Sequence, residues 1–207
     1  IRSLGAKCKL ISVIGDDNCG SFVRDKISEI DISDGLIQDK SRPTTFKKRY
    51  LVENQKLFRV TRLEQTEINK SIESQIIAEL EFSAKEANGI VISDFVYGVI
   101  THKILLKIDE LAKKYNLKVF GDLQCSSQVG SILKFNNLSL LCPNEREARI
   151  ALHEKDLDLE TLSLQIIKKT NSSNLIMKLG SAGFIVYFRK NNNINKQAFP
   201  ALSINPV

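Results

Sequence analysis

Short runs of β-branched and aliphatic residues alternate along the chain with segments of helical period, and this alternation limits the possible folds most. Residues 10–14, 89–93, 118–121, 138–141 and 175–177 are largely continuous apolar runs, the pattern of strands buried on both faces. Between them, Ile104, Leu105, Ile108, Leu111, Ala112 and Tyr115 form one stripe of a helix whose other face carries Lys103, Lys107 and Lys114. Ile72, Ile76, Ile77, Leu80, Ala84 and Ala87 form a second stripe. Strand, helix and strand in this order predict an α/β fold: a doubly wound, mostly parallel sheet with flanking helices. Ligands bind such sheets at the carboxyl ends of the strands, so the residues after each apolar run are the candidates for chemistry.

One stretch breaks the rhythm. From about residue 34 to 64 there is no helical period, and 45–52 and 57–62 read as two strands meeting near 53–56. Polar and basic residues intersperse with apolar ones, which predicts a small antiparallel β flap with one wet face. No repeat or linker interrupts the chain, so 1–207 is read as a single domain. Both ends look cut: Arg2-Ser3-Leu4-Gly5 resembles the last turn of a helix with its capping glycine, and 199–207 stops in extended chain.

Composition narrows the class. Of 207 residues 43% are hydrophobic, with 10 Gly and 4 Pro, which suits one sizeable core and excludes low-complexity and collagen-like chains. There is no apolar run of membrane-spanning length and no signal-peptide core near Ile1, so a soluble cytoplasmic domain is expected, without a membrane partner. The net charge of +6 is spread along the chain instead of gathered in blocks, which argues against nucleic acid as a partner and leaves a solvated surface or phosphorylated small molecules. Cys8, Cys19, Cys125 and Cys142 form no Cys-x-x-Cys pair and lie apart from His102 and His153, so reduced thiols are expected and zinc is not.

Five loops are candidates, each with a plain structural reading beside the functional one. After the first strand, Gly15-Asp16-Asp17-Asn18-Cys19-Gly20 opens a helix from about 21 to 30; Asp17 either caps it or takes part in a ligand site. Ser93-Asp94 places a carboxylate at a strand end, for a sugar hydroxyl or for loop amides. Asp122 ends the next strand. In Pro143-Asn144-Glu145-Arg146-Glu147, Asn144 and Glu147 are three apart, either a capping box or an amide and a carboxylate held to position hydrated Mg²⁺ and phosphate. Lys178-Leu179-Gly180-Ser181-Ala182-Gly183 is either a hairpin or a close backbone approach to a nucleotide. The Walker A and Gly-x-Gly-x-x-Gly patterns are absent, which disfavours a dinucleotide-dependent oxidoreductase.

In this order, Gly15-x-Asp17-x-x-Gly20, the flap, Ser93-Asp94, Asp122, Pro143-Asn144-x-x-Glu147 and Leu179-Gly180-x-x-Gly183 resemble the ribokinase-like (PfkB) carbohydrate kinases. Within the flap, Thr45-x-Lys47-x-Arg49 and Asn54-Gln55-x-Leu57-x-Arg59 are similar to the heptose 7-phosphate kinase domain of ADP-heptose synthases. The resemblance spans essentially the whole chain. It implies ATP-dependent phosphorylation of a sugar or sugar phosphate, with ATP and Mg²⁺ as cofactors. Asn144 and Glu147 would arrange the metal, through water at Glu147, and the phosphates; Lys178, Gly180 and Gly183 would border the nucleotide. Asp17, Asp94 and Asp122 would lie toward the sugar, and Arg49, Asn54 and Arg59 would touch the substrate or a partner subunit in a homodimer formed through the flap. The family's catalytic Asp, in a Gly-Ala-Gly-Asp segment, would follow Val207, so the piece as given is expected to be inactive. Leu123-Gln124 stands where these heptose kinases have Pro-Lys, and Lys178 where the family has Thr. A non-catalytic sugar- or nucleotide-binding protein on the same fold is the alternative.

Overall fold

The computed structural model describes residues 1–53, 55–124, 130–191 and 193–201. The chain divides into two units, the first made of residues 1–83 and 97–104 and the second of residues 84–96 and 105–207.

In the first unit, β1 (Lys9–Ile14) leads through α1 (Asn18–Glu29) into β2 (Ser33–Gln38), which pairs with β1 in parallel from Lys9↔Ser33 to Ile14↔Gln38. Ile14, Ile27 and Ile37 are buried there, and α2 (Lys70–Ser83) lies on β1 and β2 with Ile72, Ile76 and Leu80 buried. These three belong to the expected stripe, whereas Ile77 is half-buried and the helix ends before Ala84 and Ala87. The flap is a separate two-stranded antiparallel ribbon of β3 (Phe46–Val52) and β4 (Gln55–Arg62), with Phe46 opposite Arg62 at its open end. The stretch expected to be flap throughout also holds most of β2. Asp34-Gly35 hides that strand, because neither residue favours β structure and only Leu36 and Ile37 are apolar. A 3-10 turn, Arg2–Leu4, ends at Gly5 with φ +89.

The second unit is built on a six-stranded sheet in the order β10-β9-β8-β7-β6-β5. β5 (Gly89–Asp94), β6 (Lys118–Leu123), β7 (Leu140–Leu141) and β8 (Asn174–Lys178) are parallel; β9 (Phe184–Lys190) and β10 (Asn193–Phe199) continue it antiparallel. Leu123, Leu141, Leu175 and Met177 are fully buried with Leu162 and Ile166 of α5 (Leu159–Thr170) and Ala148 of α4 (Glu145–Leu152). α3 (His102–Tyr115) buries Ile104, Ile108 and Leu111, three residues of the stripe read from its period. β10 is exposed along its length. Its polar sequence gave no strand signal; it forms because a turn starting at Asn191, with φ +52, folds it back on β9. No helix among the described residues is long and apolar enough to cross a membrane.

Candidate functional site

Three neighbouring parallel strands bring most of the expected nucleotide residues to one edge of the second unit. β7 lies between β6 and β8, and the amide of Cys142 donates to the carbonyl of Gly121 at 2.9 Å. Beyond β7, Lys178 N–H donates to the Pro143 carbonyl at 2.9 Å, and Asn144 forms a parallel bridge with Lys178. Asp122, Cys142, Asn144 and Lys178 therefore lie side by side at the carboxyl ends. Lys178 Nζ reaches Asp122 Oδ1 at 2.6 Å, both side chains being about a third exposed. The Cys142 thiol titrates above its ordinary value: burial raises it most, the Lys178 ammonium pulls it back, and the Asp122 charge raises it. Cys142 is accordingly a protonated wall of this edge, not a nucleophile.

Asn144 and Glu147 make a complete capping box at the start of α4. Asn144 Oδ1 accepts from Glu147 N–H at 2.8 Å, and Glu147 Oε2 accepts from Asn144 N–H at 2.9 Å. The local reading of their spacing holds, and it also fixes a buried carboxylate at a helix start. The two glycines that follow β8 differ. A Cβ at Gly180 would meet nothing within 4 Å, whereas one at Gly183 would lie 2.0 Å from the Phe199 carbonyl oxygen. Gly180 borders open space; Gly183 is required by the approach of the β10 end.

Asp94, last in β5, is 3% exposed and committed within its own unit. Its Oδ1 accepts from Val96 N–H at 2.8 Å, and its Oδ2 is ion-paired with Lys134. Val96 has φ +62, a strained backbone for a β-branched residue, beside this carboxylate. Sequence reasoning missed Lys134. It sits in a 3-10 turn, Ile132–Lys134, forty residues from Asp94, and nothing in its neighbours marks it.

In the first unit, Asp17 is the N-cap of α1, as the local reading of its turn has it. Its Oδ1 accepts from Gly20 N–H at 2.9 Å, and its Oδ2 accepts from Thr44 N–H at 3.1 Å and from Arg62 Nη2 at 2.5 Å. Hydrogen bonds from the Thr44 hydroxyl and the Gly20 amide, with help from the Arg62 charge, hold its carboxyl down to about 2. Thr44, Arg62, Asp39 and Arg42 were not anticipated as partners. Arg42 and Asp39 form a buried ion pair at 3.2 Å, and Arg42 also donates to the carbonyls of Tyr97 and Thr66. On the ribbon, Arg49 and Arg59 stand directly opposite one another and are exposed. Like charges in register repel, so this pair favours an anion between or beside them. Asn54 lies outside the described residues.

The donor set suits a nucleotide carrying its own hydrated metal. Among the described residues no three His, Cys, Asp or Glu side chains gather into a metal site. One buried carboxylate at Glu147, an ammonium at Lys178 and the open face at Gly180 would suit a divalent ion brought in on phosphate, which keeps several waters and needs few protein ligands.

The pfkB family carbohydrate kinase profile matches residues 1–207. The bifunctional protein HldE of Helicobacter acinonychis is 34% identical over 197 residues, covering 93% of this chain and 42% of that protein. The HldE of Campylobacter jejuni is 32% identical over 190 residues, covering 90% and 39%. The chain thus spans about two fifths of the length of these curated relatives. Among solved structures, Escherichia coli phosphofructokinase-2 in complex with substrates and products superposes with a TM-score of 0.74 at 15% identity, covering 98% of this chain and 65% of that one. Ribokinase from Giardia lamblia gives 0.73 at 15% identity, covering 96% and 61%. With the family profile matching from end to end, this chain belongs to the pfkB family of carbohydrate kinases.

Proposed function

We propose that this chain supplies the nucleotide and sugar-phosphate sites for ATP-dependent phosphorylation of a hydroxyl on a sugar phosphate of the heptose 7-phosphate type, the catalytic Asp being expected beyond Val207. The observation that carries the reading is the convergence of Asp122, Asn144 and Lys178 on one sheet edge, with Glu147 locked to Asn144 and open space at Gly180. The Lys178 ammonium supplies a point charge for phosphate oxygens, and Asp122 orients it. Asn144 and Glu147 address the water shell of the metal, and Gly180 lets the nucleotide approach the backbone without a Cβ in its way. Bound Mg²⁺ contributes neutralisation of phosphate charge.

The kind of sugar is inferred from the ribbon and the relatives. The opposed guanidinium groups of Arg49 and Arg59 suit the phosphate of a sugar phosphate better than a neutral sugar. Phe46, Val52, Phe58 and Val60 leave an apolar ribbon surface on which a second copy of the chain docks as a homodimer.

Isothermal titration of the full chain with Mg-ATP and with heptose 7-phosphate, fructose 6-phosphate or ribose tests the reading. The expected result is binding of Mg-ATP, preference for heptose 7-phosphate, and a roughly tenfold loss of that sugar phosphate in Arg49→Ala and Arg59→Ala. No nucleotide binding in any combination overturns it.

A further inference from the structure

Both roots of the β3–β4 ribbon end on the same carboxylate. Thr44 lies two residues before β3 and Arg62 is the last residue of β4, and both donate to Asp17 Oδ2. Phe46 and Arg62 are register partners, so Asp17 grips the open end of the ribbon, opposite its turn. The grip is itself braced. Gly15 N–H, just after β1, donates to Thr44 Oγ1 at 2.8 Å, and Asp17 Oδ1 is held by Gly20 N–H at the first turn of α1. Arg42, two residues before Thr44, ties the same root to Asp39 and to the carbonyls of Thr66 and Tyr97.

An isolated two-stranded ribbon is marginal in water, and its direction depends on what holds its base. Its own stabilisation is modest: Tyr50 stacks on Phe58 with ring centroids 4.4 Å apart, but Arg49 faces Arg59. We infer that Asp17 is a positioning residue, a clamp that sets the direction of the β3–β4 ribbon and so the placement of Arg49 and Arg59, and is not a ligand of the sugar. This rests on the reading of the ribbon as the element that meets the sugar phosphate. Asp17 already accepts from three protein donors, Gly20 N–H, Thr44 N–H and Arg62 Nη2, and the charge needed for Arg62 is maintained because its hydrogen bonds keep the carboxyl ionised.

Asp17→Asn separates the clamp from the cap. Asparagine keeps an oxygen for Gly20 N–H and is a good N-cap, but it brings no charge to Arg62 and presents an amide nitrogen to Thr44 N–H. Arg62→Gln releases one root and leaves Asp17 in place. Amide hydrogen exchange by mass spectrometry is measured on the full chain, with titration of heptose 7-phosphate and Mg-ATP. Exchange over 46–62 is expected to rise about tenfold in both variants, with β1, α1 and β2 unchanged. Heptose 7-phosphate affinity falls about tenfold in both and Mg-ATP affinity in neither.

Unchanged exchange over 46–62 in both variants, or a rise spread evenly over the unit, overturns the clamp. A loss of sugar-phosphate affinity in Asp17→Asn but not in Arg62→Gln overturns it too, since that is the signature of a direct sugar ligand. If Asp17→Asn does not fold, Arg62→Gln decides by its exchange pattern and by whether it loses heptose 7-phosphate. If exchange rises over 46–62 alone while sugar-phosphate affinity is unchanged in these variants and in Arg49→Ala and Arg59→Ala, the clamp stands and the substrate role of the ribbon fails.

Discussion

The two glycines after β8 make a paired prediction, because the same substitution meets opposite surroundings. At Gly183 the backbone has φ 92 and ψ −135, a region essentially restricted to glycine, and costs about 1–3 kcal/mol for alanine. The added methyl would lie 2.0 Å from the Phe199 oxygen and 2.8 Å from both Ala201 N and Pro200 C, where ordinary contact needs about 3.5 Å. Relief requires moving the end of β10, which also disturbs the Phe184–Phe199 ring stack at 5.0 Å, and overpacking of this kind costs a further 1–3 kcal/mol or about that. Gly183→Ala is therefore expected to lose about 2–6 kcal/mol of unfolding free energy. At Gly180, φ +61 is the left-handed region and nothing lies within 4 Å, so alanine costs only about 1–2 kcal/mol. Its methyl instead stands in the open face assigned to the nucleotide, and Mg-ATP affinity should fall about tenfold while the fold is kept. Urea unfolding of both variants, followed by titration of Mg-ATP at a temperature where both are folded, gives the two numbers. Equal losses of stability, or intact Mg-ATP affinity in Gly180→Ala, would refute the division of roles.

Two further outcomes follow from the same geometry. Glu147→Gln keeps an oxygen for Asn144 N–H, so its stability should shift by less than the roughly 1 kcal/mol that a lost cap costs, while Mg-ATP affinity drops about tenfold; a drop in stability without a change in affinity would make the residue a cap only. In acid, Asp17 and Asp39 both titrate below their ordinary 3.8 in the folded chain, Asp17 down to about 2 through Thr44 and Gly20; at Asp39 burial is the largest single influence and pushes upward, but the hydrogen bonds from Ser41 and the charge and hydrogen bond of Arg42 together outweigh it. Groups with depressed values stabilise fully above 3.8 and lose that contribution as pH falls toward 2, so thermal unfolding from pH 6 to pH 2 should decline below about 4, and Asp17→Asn should flatten that decline; an unchanged slope would show that the clamp is not charged.

What could be read from the residues is what is decided within a few positions of chain. The strands β1, β5, β6 and β8 show as β-branched runs and α3 as a stripe of period 3.6, because these patterns follow from the repeat of each backbone form. The capping box at Asn144 and Glu147 and the cap at Asp17 are legible for the same reason: three residues apart on a helix start, the partners meet whatever the rest of the fold does. The antiparallel ribbon was legible from its strand pattern, while β2 and β10 were not. Their polar, Gly- and Asn-containing sequences become strands only because β1 and β9 stand beside them to take their backbone hydrogen bonds.

Partnership across long stretches of chain belongs to the tertiary structure alone. Asp94 finds Lys134, Asp122 finds Lys178, and Asp17 finds Arg62, each pair far apart in sequence and one contact apart in space. The residue types at these positions allow many pairings of opposite charge. Which one forms depends on strand order, on where a short strand such as β7 leaves its neighbours' ends in register, and on which ribbon root passes a given helix start. Gly183 makes the same point: its need to be glycine is imposed by the Phe199 carbonyl, which no local motif announces. The sequence alone therefore determined the α/β class, the places where chemistry could sit and the family those places resemble. The packed chain decided which of those side chains point at one another and which are left facing open space, because close approach is a property of three-dimensional neighbours and not of spacing along the backbone.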